Sequence, residues 1–110
     1  MTRAHVQRLR DDAVAEIETL DQSLLSLFEA SRSSNADDEH DPEGSTIGYE
    51  RAQLTAVRDA ARRRLVDLDD ALRRLDDGTY GICEVCGKPI PVERLEARPS
   101  ARTCVGCAGR

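Results

Sequence analysis

Cys83, Cys86, Cys104 and Cys107 are the residues of this chain whose type and spacing could do chemistry. They form two C-x2-C pairs with 17 residues between them, the pattern of a four-thiolate zinc site. Two intervening residues let one tight turn aim both sulfurs at a single ion, and the longer loop brings back the second pair. A glycine lies close to each pair, Gly87 after the first and Gly106 inside the second. Zinc takes four sulfurs tetrahedrally, and four thiolates close its shell, whereas a catalytic zinc keeps an open position and usually draws on His or carboxylate. The expected zinc is therefore structural, one per chain, supplying folding energy that so small a segment cannot draw from a core, and no enzymatic activity is expected. Two other uses of the thiols remain open on spacing alone: a metal-free redox pair and disulfides.

The rest of the chain must position that site. It has 110 residues, 34% of them charged, no Trp, and only Phe28, Tyr49 and Tyr80 as aromatics. That is one domain or one elongated unit, short of large apolar groups for a thick core. No apolar run approaches the ~18 residues of a membrane span, and MTRAHVQRLR lacks the apolar stretch of a secretory signal, so a cytoplasmic protein is expected. From Tyr80 to Arg110 there are five basic and three acidic residues, a charge of +2. The chain carries -5 in all, which leaves -7 on residues 1–79. Neither part has the basic excess of a duplex-binding protein, so strong direct DNA binding is not expected.

From about residue 2 to 33 there is no Gly or Pro, and Ala13, Ile17, Leu20, Leu24 and Leu27 recur in steps of 4, 3, 4 and 3. Val6 precedes that line, with Leu9 and Phe28 beside it and Thr2 placed to cap the N-terminus. From about 47 to 77 a second line, Leu54, Val57, Ala61, Leu65, Leu68, Leu72 and Leu75, repeats the spacing, and Gly78 ends it. Steps of three and four are the heptad spacing of a helix with one narrow apolar seam. Two such helices of near-equal length fold back as an antiparallel coiled-coil hairpin. The charges between seam positions include Arg73 and Arg74, and the cluster Arg62, Arg63 and Arg64 wraps around the helix and reads as solvated surface.

Residues 34–46 join the helices and are rich in Ser, Asn, Asp, Pro and Gly, which favour turns. Asp37, Asp38, Glu39, Asp41 and Glu43 crowd into this segment around His40. The segment lacks the ligand alternation of an EF-hand loop. A dense acidic tip on a stiff hairpin of about 45 Å could carry carboxylates into a cavity and meet a hard cation or basic groups there. His5 and His40 stand outside any cluster and read as surface residues.

The segment GTYGICEVCGKPIPVERLEARPSARTCVGC, from Gly78 to Cys107, closely resembles the C4 zinc finger of the DksA/TraR family of bacterial transcription regulators. The resemblance rests on Gly78, Tyr80 and Gly81 before the first cysteine, Gly87, Ile90, the run Arg94-Leu95-Glu96-Ala97-Arg98-Pro99, and both cysteine pairs. It implies a protein that binds RNA polymerase rather than DNA, with its coiled coil in the secondary channel and its acidic tip near the catalytic region. The family tip pattern D-x-x-D-x-A is met by Asp38 and Asp41, with Glu43 in the alanine position. The sequence stops three residues after Cys107, so the C-terminal helix and extra N-terminal region of larger members find no counterpart in it, and a ppGpp response is not carried over.

The expected architecture is all-α. Residues 1–77 form the hairpin, with helices at about 2–33 and 47–77 and the tip at 34–46, and residues 78–110 form the C4 finger. The expected protein is a monomeric, non-enzymatic polymerase regulator with Asp38, Asp41 and Glu43 as its partner-binding tip. The alternatives are a zinc-ribbon nucleic-acid-binding protein and a metal-free thiol redox protein.

Overall fold

The structure, a computed structural model, describes residues 2–34 and 42–109, with side chains over 2–32 and 46–109. Helix α1 spans Arg3–Ser34 and α2 spans Pro42–Asp77. A short α3, Val92–Ala97, and one 3-10 turn, Val105–Cys107, follow. Among the described residues there is no strand, only an isolated antiparallel bridge between Ile82 and Pro89, and no helix is long and apolar enough to cross a membrane. The all-α architecture expected from periodicity is the one observed.

The helix ends follow from local chemistry. Thr2 caps α1: its Oγ1 accepts the His5 N–H at 3.2 Å and its carbonyl the Val6 N–H at 3.1 Å, satisfying donors that a bare helix end leaves orphaned. Helix α2 starts at Pro42, inside the segment read as turn. A proline at the first helical position is favoured, because its fixed φ suits the helix and no N–H is wanted there. Helix α2 stops at Gly78, whose φ of +79° is open to glycine at little cost. The Thr79 N–H reaches back to the Arg74 carbonyl at 2.9 Å and the Gly78 N–H to that of Leu75 at 3.3 Å, the two bonds of a Schellman ending.

The chain divides into two compact units: Met1–Asp12 with Arg64–Arg110, and Ala13–Arg63. Both long helices contribute to each unit, and in each they run antiparallel. In the first unit Arg3 pairs with Asp76 and Arg10 with Asp69, both at 2.8 Å. An advance of seven residues along α1 is thus matched by a retreat of seven along α2. These pairs are exposed, worth ~0–1 kcal/mol each, and serve register more than stability. Burial is concentrated in this unit, where Val6, Leu68, Ala71 and Leu72 have lost nearly all solvent contact.

Among the described residues of the second unit only Ala13 and Ala61 are fully buried, and Ile17, Leu20, Leu24, Leu27 and Leu54 are partly covered. Val57, expected in the seam, stays 48% exposed. The half-buried Arg58 occupies the seam instead, its Nη1 3.3 Å from Asp21 Oδ1 on α1. The reason is geometric: from Leu54, four residues turn a helix by about 40° and three leave it about 60° short, at 3.6 residues per turn. Ala61 and Leu65 lie between these directions, so a strict three-then-four count selects the wrong neighbour.

Candidate metal centre

The finger begins where the Schellman ending of α2 releases the chain. The Ile90 N–H donates to the Gly81 carbonyl at 2.7 Å and the Cys83 N–H to that of Lys88 at 2.9 Å, folding 81–90 into a narrow loop with the first cysteine pair at its turn. Gly87 closes that turn with φ +74° while its N–H reaches the Cys83 carbonyl at 3.0 Å. The second pair sits on the 3-10 turn, where the Cys107 N–H bonds the Cys104 carbonyl at 3.1 Å. Helix α3 supplies Leu95 to a small core with Ile90, Ala101, Cys83 and Cys107, and Tyr80 and Cys104 pack against it.

The four sulfurs converge. All lie within 4.8 Å of one another, and they form the one His/Cys/Asp/Glu group among the described residues suited to a metal ion. None of the four is in a disulfide. The Cys86 and Cys104 sulfurs are 3.8 Å apart; a tetrahedron with Zn–S bonds of ~2.3 Å has edges of about 3.8 Å. The donor set therefore fits zinc in chemistry and in size.

The sulfurs are not equivalent. Cys83 and Cys107 are buried, whereas Cys86 is exposed and Cys104 intermediate. Backbone amides lower the Cys83 thiol to about 6, chiefly that of Cys86 and then that of Cys104; the Cys86 N–H lies 3.5 Å from the Cys83 sulfur. Cys107 is pushed up to about 12 by its hydrogen bond to Cys104 and by burial. A divalent cation among the four sulfurs reverses the logic that keeps the last proton on, since coordinated thiols are deprotonated.

A set of residues outside the cysteines fixes the second pair. The return segment has no regular structure, yet five consecutive carbonyls in it each accept a hydrogen bond. Tyr80 Oη donates to Pro99 at 2.7 Å, Arg74 Nη2 to Ser100 at 3.2 Å and Arg74 Nη1 to Ala101 at 3.3 Å. The Glu84 N–H donates to Arg102 at 2.9 Å and Arg94 Nε to Thr103 at 2.6 Å. Arg74 is 5% exposed, the one buried charged residue among those described. Its Nε meets Asp70 at 2.9 Å and its guanidinium lies 5.7 Å from the Tyr80 ring centre. Asp70 also receives Arg73 at 2.6 Å and Arg102 at 2.7 Å, and the Arg73 hydrogen bond leads in holding its carboxyl below the usual range.

Arg74 is one of the charges between seam positions, and nothing in the sequence marks it for burial. It is buried because the finger, distant in sequence, covers it. Tyr80 and Arg94 lay within the quoted motif without an assigned role. Asp38 and Asp41 lie outside the described residues. Glu43 falls within α2, and its side chain is outside the described set.

Residues 78–110 match the model of the prokaryotic dksA/traR C4-type zinc finger. The chain is 46% identical over 69 residues to YteA of Bacillus subtilis, a stretch covering 63% of this chain and 29% of that protein. It is 48% identical over 56 residues to the RNA polymerase-binding transcription factor DksA of Caulobacter vibrioides, covering 51% of this chain and 39% of that one. These matches span less than half the length of either relative. The structure of transcription factor DksA2 from Pseudomonas aeruginosa superposes with a TM-score of 0.56 at 25% identity, covering 94% of this chain and 79% of that one. Finger motif, converging thiols and hairpin agree: residues 78–110 of this chain are a DksA/TraR-type C4 finger, built for one structural zinc and carried on a helical hairpin of the DksA fold.

Proposed function

We propose that this protein is a cytoplasmic, non-enzymatic regulator that binds bacterial RNA polymerase, with Cys83, Cys86, Cys104 and Cys107 holding the zinc and Asp38, Asp41 and Glu43 acting at the polymerase. The observation that carries this reading is the pairing of a DksA/TraR-type finger with a DksA-like hairpin. Two relatives, matched over 56 and 50 residues, are named as RNA polymerase-binding transcription factors. Charge agrees with a protein rather than a nucleic-acid partner, because the chain is acidic overall, at -5, and repels phosphate. On this reading the hairpin enters the secondary channel as a monomer and presents the acidic segment to the catalytic region. The closed thiolate shell supports the finger and performs no reaction.

A purified transcription assay with polymerase binding measured alongside tests the proposal. Asp38→Asn combined with Asp41→Asn should abolish the effect on transcription while zinc content, helicity and much of the polymerase affinity persist. A double variant that binds and regulates like wild type would move the function away from the acidic segment, to the finger or the hairpin's sides.

A further inference from the structure

We propose that Arg74 is a positioning residue of the zinc centre: by holding the Ser100 and Ala101 carbonyls it fixes the segment that delivers Cys104 and Cys107, so that metal affinity is set in part from the last turns of α2. The proposal rests on the four-thiolate ligand set. Burying a guanidinium costs several kcal/mol unless every N–H finds a partner, and Arg74 spends its donors in one place. Nε goes to Asp70 and both terminal nitrogens go to adjacent carbonyls of the return segment. That segment has no helix or strand to satisfy its backbone, and buried carbonyls need partners. Arg74 therefore supplies what a neighbouring strand would. Its own carbonyl accepts the Thr79 and Tyr80 N–H groups at 2.9 and 3.1 Å, so one residue anchors the chain both entering the finger and returning to it. Asp70 orients the guanidinium as an outer-shell carboxylate orients a metal-binding group. A lysine offers charge without the planar fork that reaches two carbonyls and a carboxylate together.

The test is zinc competition between the full chain and a chromophoric chelator, for wild type, Arg74→Gln and Arg74→Lys. Losing a group bonded directly to a metal ligand costs about 10–100-fold in metal affinity, and for Arg74, which acts through the backbone that leads to Cys104, the low end of about tenfold applies. That loss is expected for Arg74→Gln, with Arg74→Lys between it and wild type, and all three should reach one zinc per chain at saturation. Leu20→Ala, in the other compact unit, is the control: it should lower thermal stability and leave zinc affinity unchanged. Zinc affinity equal to wild type in Arg74→Gln overturns the proposal, as does an equal loss in Leu20→Ala, which would make the effect one of general stability. Should Arg74→Gln lose its helical signal, Arg74→Lys decides by the same comparison. Wild type that takes up no zinc overturns the ligand set itself, and the role of Arg74 with it.

Discussion

Leu68→Ala should destabilise the protein by about 2–3 kcal/mol, and Leu20→Ala by about half that or less. Both leucines occupy the heptad seam, but Leu68 is only 4% exposed, in the unit that includes the finger, whereas Leu20 is partly covered, in the other. Shortening leucine to alanine removes three carbon groups, worth about 2.4 kcal/mol at ~0.8 kcal/mol for each buried CH2. A cavity term raises such losses toward ~5 kcal/mol where the surroundings cannot relax. A seam between two helices collapses more readily than a globular core, which keeps the figure near the transfer term. For a unit of this size, 2–3 kcal/mol corresponds to a fall in melting temperature of roughly 8–24 °C. The zinc-saturated proteins would be melted by far-UV circular dichroism. Because two compact units need not unfold together, amide exchange should be followed peptide by peptide. Leu68→Ala should raise exchange over 64–77 and leave 20–30 unchanged. Equal shifts for the two variants, or a Leu68→Ala loss under ~1 kcal/mol, would refute the burial argument.

Cys104→Ser should abolish stoichiometric zinc binding and unfold the finger while most helical signal remains, as zinc analysis and circular dichroism would report. The Asp70 carboxyl is held low by Arg73, Arg74 and Arg102, so its contribution is complete above the ordinary carboxylate range and is lost as pH falls through its lowered folded-state value. The stability gap between wild type and Asp70→Asn should therefore be the same at pH 7 and at about pH 5.5; a gap that shrinks markedly by 5.5 would mean that the fold raises the carboxyl instead of lowering it. Affinity for random duplex DNA at ~0.15 M salt should be no tighter than the ~10⁻⁴–10⁻⁶ M typical of non-specific binders, measured by anisotropy.

Much of this structure is legible in the chain because its signals are local. The cysteine spacing announces the metal centre, the heptad steps announce the hairpin, and Thr2 and Gly78 mark helix ends through bonds made within a few residues. What escapes is nonlocal or finely angular. Arg74 looks like one more charge beside a seam, and only the finger that closes over it, through carbonyls 26 and 27 residues away, makes it a buried anchor. Val57 and Arg58 exchange roles because a count of threes and fours does not resolve a helix that turns 100° per residue. Pro42 lies in a stretch whose composition suggests a turn, yet proline both ends and begins helices, and α2 begins with it.

The measurement that bears most directly on the account is equilibrium binding of the zinc-loaded protein to purified bacterial RNA polymerase, with a DksA relative added as competitor. Saturable sub-micromolar binding, displaced by the competitor and lost on Cys104→Ser, is the predicted result. Absence of binding at micromolar polymerase, or binding that the competitor leaves untouched, would contradict it.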